Sequence, residues 1–200
     1  LVEATAPELV VVDYLQLMDT RRRSENETVR LGRISCALKE LASPAHYRGE
    51  VLCTVIQLNV GERAFGTAAS RGQLLMTIRA AYEADMDALQ SRIEQAAAAL
   101  ADEEELACAF SYEEAFPETA NDDASVDKVF AAAKALHYPA QAKPASRGSE
   151  DFGYFLKAAP GALFFIGGGE DQPSYHTAYY DFTDAVMDYA VEMFKQLIQM

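Results

Sequence analysis

The chain has 200 residues, half of them apolar, and a formal net charge of −14, so it is long enough for one or two domains with a sizeable core. No stretch approaches the roughly 18 consecutive apolar residues of a membrane span, and no charged-then-apolar signal sequence opens the chain, so we expect a cytoplasmic protein without a membrane partner. After Ala42, 24 acidic residues oppose 11 basic ones, and such a surface repels the phosphate backbone of nucleic acids.

The opening residues, 1–42, predict a strand followed by an amphipathic helix. The apolar run from Glu8 to Met18 is typical of a core strand, with Asp13 at its tip. A capping box at Ser24–Glu27 and apolar residues spaced by three or four predict a helix over 25–42. Between them, Arg21–Arg23 form either a solvated turn or a patch that contacts phosphate.

The middle of the chain predicts two strands, a helix and a further strand, over 51–60, 73–80, 83–101 and 106–112. The helix has one apolar stripe, formed by Met86, Leu89, Ile93, Ala97 and Leu100. Together with the opening strand and helix, their order is βαββαβ, the ferredoxin-like pattern. Strand alternation places Arg79 on the more polar face of its strand. There its guanidinium could form a cross-strand ion pair or clamp a carboxylate.

The last third begins with a turn and cap cluster at Asn121–Asp123 and a helix striped by apolar residues between Val126 and Leu136. Ser149 is a suitable N-cap for a short helix whose first turn holds Glu150 and Asp151. The buried stripe of this helix is predicted at Phe152, Phe155 and Leu156. The run 162–166 predicts a strand buried on both faces, and a final helix presents a wide apolar face. His176 follows that strand, where α/β proteins tend to bind ligands, so it is either a metal ligand or a hydrogen-bonded structural residue.

Three sequence motifs of this chain also occur in one protein family, in the same order and at the same spacing. They are G-S-E-D-F at 148–152, P-G-A-L-F-F-I-G-G-G at 160–169 and H-x-x-x-Y-D-F at 176–182. From about Ser43 to its end, the chain thus resembles the C-terminal part of the aminoacylase, hippurate hydrolase and carboxypeptidase G family of two-zinc amidohydrolases. The resemblance implies a lid and dimerisation domain over 43–116, followed by the C-terminal part of a catalytic domain over 117–200.

This resemblance also implies roles for individual residues. His176 would be the family's last zinc ligand, Ser149, Glu150 and Asp151 would lie beside the active site, and Arg79 would reach a substrate carboxylate. Gly66-Thr67 stands where the family has an asparagine for that carboxylate, which leaves the substrate preference open. The expected fold is α/β (α+β), a ferredoxin-like βαββαβ lid-type sheet followed by an incomplete α/β catalytic-domain segment.

Residues 1–42 carry a second resemblance. Their V-V-V-D-Y-L-Q-L-M strand and the helix after it are similar to the Walker B strand and following helix of replicative DNA helicases, in which Asp13 would support the magnesium of bound ATP. No G-x-x-x-x-G-K-[ST] loop occurs in the sequence, so the phosphate-binding part of an ATPase is missing. The opening strand and helix either complete the lid sheet or form a loose appendage.

The amidohydrolase resemblance implies zinc-dependent hydrolysis of N-acyl amino acids or small peptides. The family's N-terminal metal motifs are absent from the sequence, and only three histidines occur in it, so we name no catalytic residue and expect a chain that is incomplete by itself. A homodimer or a partner chain is the expected assembly. The alternatives are a non-catalytic association module and, with less support, an ATPase or helicase fragment.

Overall fold

A computed structural model describes residues 9–17, 38, 40–61, 71–103 and 106–200 of the chain. These residues form two compact units. The sheet unit is formed by the described residues between 5 and 118 together with Arg147–Glu150. The helical unit comprises Thr119–Ser146 and Asp151–Met200. Among the described residues, no helix is long and apolar enough to cross a membrane. The division of the chain into 1–42, 43–116 and 117–200 stays a prediction of the sequence, as does a cytoplasmic location.

The sheet unit is built on four antiparallel strands. They are β1 (Leu9–Leu17), β2 (Val51–Val60), β3 (Arg71–Ala80) and β4 (Leu106–Cys108). Their order across the sheet is β2-β3-β1-β4, so the opening strand lies between β3 and β4. This small antiparallel sheet with helices confirms the predicted mixed α/β fold, and its order is that of the ferredoxin-like pattern.

Two sequence predictions about these strands are wrong. Asp13 lies in the middle of β1 and not at its tip, next to the point where the register with β3 shifts between Val12 and Leu15. β4 ends at Cys108, four residues before the predicted end of the strand at residue 112. In both cases the apolar run correctly predicted that a strand is present, but the pairing with neighbouring strands decided where the strand begins and ends.

A bulge in β2 changes which of its residues face the core. The pairing with β3 passes from Val55 directly to Gln57, leaving Ile56 without an opposite residue and 59 % exposed. Because one extra residue reverses the alternation of a strand, Val51 and Cys53 face inward before the bulge and Leu58 after it. β3 has no such interruption, and its residues at even positions from 74 to 80 are buried, as predicted.

The helix α1 (Glu83–Glu103) packs on the sheet and closes the core of the sheet unit. Leu89, Ile93, Ala97 and Ala101 face inward along it and meet Leu74, Met76 and Ile78 of β3, with Leu38 also fully buried. This confirms the apolar stripe predicted for the helix, with Ala101 in place of Leu100. Of the helix predicted over 25–42, residues 25–37 and 39 lie outside the described residues, as do Arg21–Arg23 and Gly66-Thr67.

The connection into β2 is fixed by the start of α1. The carboxylate of Asp85, which is largely buried, accepts hydrogen bonds from the backbone N–H of Gly49 at 2.8 Å and of Arg48 at 3.2 Å. The guanidinium of Arg48 lies 4.1 Å from the centre of the Tyr82 ring. The largely buried carboxylate of Asp85 is thereby satisfied by two backbone donors, which explains an acidic residue on the inward face of a helix.

The helical unit contains α2 (Asp123–Ala135), α3 (Phe152–Ala158) and α4 (Val186–Ile198). Its buried core is small and consists of Val129, Ala132, Ala133 and Met193. Around it, Leu197 and Phe164 are partly buried, and the Phe164 and Phe194 rings lie 5.7 Å apart. Most of the apolar face of α4 is therefore not covered within this unit.

The apolar run 162–166 does not form the doubly buried strand that the sequence predicts. Of these residues only Phe164 makes an isolated bridge, and all five are half-buried. The backbone of Leu163 instead pairs with the amide side chain of Asn121, which donates to its carbonyl at 3.0 Å and accepts from its N–H at 2.7 Å. Apolar composition predicts burial, but a strand also needs a neighbouring strand to pair with its backbone. In the described part of this unit, the Asn121 side chain makes the backbone hydrogen bonds that a neighbouring strand would make.

Candidate functional site

His176 lies in an exposed turn of the helical unit, and its backbone has φ +60°. The turn is held by the Thr177 hydroxyl, which donates to the carbonyl of Ser174 at 2.9 Å, and by the N–H of Tyr180, which donates to Thr177. The Tyr175 and Tyr180 rings pack 5.3 Å apart across it. The imidazole is thus presented on the surface of the unit by a locally hydrogen-bonded turn.

A second histidine, His137, provides a comparison for this backbone geometry. It also has positive φ, +59°, but it follows Leu136, the C-cap of α2, and its N–H donates to the carbonyl of Lys134 while the N–H of Tyr138 donates to the carbonyl of Ala133. This is the usual left-handed residue at a helix C-terminus. His176 follows no helix in this way, so its left-handed conformation needs another explanation.

The predicted helix start at Ser149 is displaced in the structure. α3 begins at Phe152, and the preceding residue at the cap position is Asp151, whose side chain makes no capping hydrogen bond. Glu150 and Asp151 are both exposed, and Ser149 is half-buried. Phe155, predicted to lie in a buried stripe, is 68 % exposed. The helix is only seven residues long, and local capping preference did not decide where it starts.

Arg79 lies at the end of β3 and makes a contact that the sequence did not reveal. Its guanidinium Nη1 donates to the backbone carbonyl of Arg147. The side chain of Arg147 in turn forms a forked ion pair with Glu50, with distances of 2.6 and 3.0 Å. Glu50 and Arg147 are 97 positions apart, so neither periodicity nor a local motif could have joined them.

The described residues do not by themselves form a zinc site. A catalytic zinc takes about three protein ligands, and among the described residues no three histidine, cysteine, aspartate or glutamate side chains are grouped as metal ligands. Arg79, Ser149 and Glu150 belong to the sheet unit, and Asp151 and His176 to the helical unit. The structure therefore does not assemble the predicted site residues around a metal within either unit.

A surface cavity of about 350 Å³ lies between the end of α3 and the start of α2. Its lining includes Lys157, Pro160, Gly161 and the carboxylate of Asp122. That carboxylate already accepts from the N–H and the hydroxyl of Ser125, at 2.8 and 2.9 Å, as the N-cap of α2. The carboxylate in this cavity thus has an ordinary structural explanation, and the lining contains no histidine.

Three groups have pKa values shifted by their surroundings. The hydrogen bond from the Ser125 hydroxyl, then that from the Ser125 N–H, lowers the pKa of Asp122. The hydrogen bond that the Tyr138 hydroxyl donates to Glu192 raises the pKa of Tyr138 to about 12. Burial raises the pKa of the Cys108 thiol. These shifts are explained by a helix cap, by a pair between the segment after α2 and the helix α4, and by a partly buried thiol.

Comparison with solved structures supports the fold. The chain is similar to the Bacillus subtilis YXEP protein, described as a dinuclear metal binding peptidase from the M20 family, with a TM-score of 0.72 and 16 % identity over 96 % of this chain and 49 % of that one. It is similar to a hydantoinase/carbamoylase family amidase from Burkholderia ambifaria, with a TM-score of 0.62 and 17 % identity over 99 % of this chain and 47 % of that one. AtUAH, solved in complex with glyoxylate, gives a TM-score of 0.69 and 17 % identity over 98 % of this chain and 47 % of that one.

The chain thus spans about half the length of these structures. The family model for peptidases M20/M25/M40 matches residues 24–200, beginning earlier than the resemblance that the sequence motifs carried from about residue 43. The helicase resemblance of residues 1–42 stays a prediction. Because the family match covers most of the chain, the protein belongs to peptidase family M20/M25/M40.

Proposed function

We propose that this chain is part of a zinc-dependent amidohydrolase or peptidase that hydrolyses N-acyl amino acids or small peptides, and that it is catalytically incomplete by itself. The observation that carries the proposal is the family match over residues 24–200. Incompleteness is supported by the absence of a ligand cluster among the described residues and by the absence of the family's N-terminal metal motifs from this sequence. The aminoacylase-like subfamily and the identity of the metal rest on the motif resemblance alone.

In this proposal His176 supplies one metal ligand. Two observations support this role: His176 is exposed, and its backbone is left-handed although it does not follow a helix. Such backbone conformations cost on the order of 1 kcal/mol or more in non-glycine residues and cluster at functional sites. The other ligands would come from outside the described residues or from another chain.

The substrate contacts proposed are Arg79, Ser149, Glu150 and Asp151. Arg79 carries a forked donor group suited to a carboxylate. Its Nη1 donates to the backbone carbonyl of Arg147. Ser149 and Glu150 belong to the same compact unit as Arg79, which is compatible with one substrate-binding surface on the sheet unit. Asp151 follows them directly in the sequence.

Zinc binding and hydrolysis test this proposal together. The purified chain, His176→Ala and His137→Ala are dialysed against a series of zinc concentrations, and bound zinc is measured by elemental analysis. His137→Ala is the matched control because it removes an exposed histidine with the same left-handed backbone. We expect well under two zinc ions per chain, a loss of bound zinc in His176→Ala only, and no hydrolysis of a panel of N-acyl amino acids.

Two results would count against parts of the proposal. Equal zinc binding by the unchanged chain and His176→Ala would remove the ligand role of His176. Two zinc ions per chain with zinc-dependent hydrolysis would show that this chain contains a whole active site, so its incompleteness would be disproved.

A second candidate function, self-association, is favoured by the uncovered apolar side chains of the helical unit. On α4, the side chains of Met187, Val191, Phe194 and Ile198 are each half or more exposed. A second copy of this chain offers the same apolar face, and a two-fold dimer pairs identical patches. The exposed Ile56 marks a different surface, the edge strand β2.

Light scattering separates these surfaces. If α4 mediates pairing, Ile198→Lys gives a monomer while Ile56→Lys remains a dimer. If only Ile56→Lys dissociates the dimer, the edge of the sheet is the interface. A chain that is monomeric at micromolar concentration would exclude stable self-association.

A further inference from the structure

The segment Arg147–Glu150 is part of the sheet unit, although the residues before and after it belong to the helical unit. It ends in Ser149 and Glu150, two of the proposed substrate contacts. Residues 138–147, which lead into it, contain two prolines and no regular apolar spacing, so local secondary structure does not fix its position. Contacts with the sheet must therefore hold it.

The first contact is the ion pair between Arg147 and Glu50. Nη2 and Nε of Arg147 donate to the two carboxylate oxygens of Glu50, at 2.6 and 3.0 Å. Forked pairing of this kind fixes direction as well as distance. Both side chains are exposed, 68 % for Arg147 and 53 % for Glu50, so the pair acts locally and adds little to overall stability.

The second contact comes from the neighbouring strand. Arg79 Nη1 donates to the carbonyl of Arg147, so the same residue is held through both its side chain and its backbone. Arg79 lies opposite Leu52, and the carbonyl of Glu50 accepts from the N–H of Ala81 at 2.9 Å. Glu50 and Arg79 are thus fixed relative to each other by the pairing of β2 and β3.

We propose that Glu50, Arg79 and Arg147 form a clasp that positions Ser149 and Glu150 on the sheet unit. Arg79 and Glu50 are then positioning residues for this segment, and a side chain that the sequence suggested as a substrate clamp also holds the protein's own backbone. The assignment of Ser149 and Glu150 to substrate rests on the proposed function; the clasp itself does not.

Amide hydrogen exchange, followed by NMR without added metal or substrate, tests the clasp. In Glu50→Gln and in Arg147→Gln, the amides of Gly148, Ser149 and Glu150 should exchange about twofold to fivefold faster, the range expected for an exposed forked pair. The double variant should be no faster than either single one, because both remove the same contact. Arg79→Gln should also accelerate these amides.

Two further variants make the result decisive. The exchanged pair Glu50→Arg with Arg147→Glu should restore slow exchange, at least in part. Glu94→Gln, which changes a carboxylate of the same unit that accepts from Tyr112 and Gln90, should leave residues 148–150 unchanged.

The clasp is disproved if none of the three single variants accelerates exchange at 148–150. It is also disproved if they accelerate strand amides such as those of Cys53 and Ile78 equally, because the contacts would then serve only general stability. Since no metal is involved, these outcomes are distinguishable from failure of the zinc experiment.

Discussion

The two units bury their apolar residues to very different degrees. In the sheet unit, Leu74, Met76, Ile78, Leu89 and Ile93 are all at most 1 % exposed. In the helical unit the buried apolar core is three residues of α2 and Met193, while Tyr154, Phe155, Tyr179 and Ile198 are more than half exposed. Both units have clear amphipathic patterns, so the pattern alone does not produce a core.

The difference has a topological cause. A helix packed on one face of an antiparallel sheet buries the strand residues on that face, as it does here in β2 and β3. The helical unit has three helices and an apolar run with only an isolated bridge at Phe164, so its apolar surfaces lack a layer to pack on. We therefore expect the sheet unit to resist local opening more than the helical unit, and the predictions below test that contrast.

The largest expected effect comes from the core of the sheet unit. Leu89→Ala should lower the free energy of unfolding of that unit by about 2–5 kcal/mol, because it removes a fully buried side chain and leaves a cavity. Phe155→Ala, in the helical unit, should change stability by no more than about 0.5 kcal/mol because the ring is 68 % exposed.

Hydrogen exchange resolved by residue measures both effects, since a chain of two units need not unfold in one step. If Phe155→Ala destabilised its unit as strongly as Leu89→Ala does the sheet unit, the contrast in burial would be wrong.

A pair of glycine substitutions sharpens the same comparison. A Cβ on Gly49 would lie 2.7 Å from the Tyr82 ring and 2.8 Å from the Cβ of Ala81, so Gly49→Ala should cost about 1–3 kcal/mol. A Cβ on Gly167 would meet nothing within 4 Å, so Gly167→Ala should be neutral or stabilise by up to about 1 kcal/mol. Thermal unfolding of both variants measures this difference in stability. A larger loss of stability in Gly167→Ala than in Gly49→Ala would contradict the prediction.

The smallest effect concerns the cap of α2. Asp122→Ala should lower the melting temperature of the helical unit by a few degrees at neutral pH, whereas Asp122→Asn should retain most of the capping. Because the pKa of Asp122 is lowered from its ordinary value of 3.8, the ionised cap stabilises the unit above that pH.

That contribution should disappear as the pH falls through the lowered pKa. Melting curves of the unchanged chain and Asp122→Ala should therefore draw closer together in strong acid, to a gap like the one between Asp122→Asn and Asp122→Ala. A gap between them that stayed constant down to pH 2 would mean that the carboxylate charge does not matter to the cap.

Local sequence signals located most elements of the fold. The alternation of β3, the apolar stripe of α1 and the cap at Asp122 each depend on residues within a few positions of one another, and the structure has all three. The start of α3 was missed because a seven-residue helix with an unused cap gives weak local signals. The candidate site was predicted only as separate residues, and its metal and substrate roles remain proposals.

The sequence by itself determined the types of most elements, though not of the run 162–166, as well as the burial faces of β3 and α1 and family membership, because these depend on local periodicity and on motifs that stand close together in the chain. Only the tertiary structure decided that β1 lies between β3 and β4, that Ile56 forms a bulge, and that Arg147 meets Glu50 and Arg79. Each of these depends on residues far apart in the chain, whose contacts are set by strand pairing and loop path and leave no local pattern.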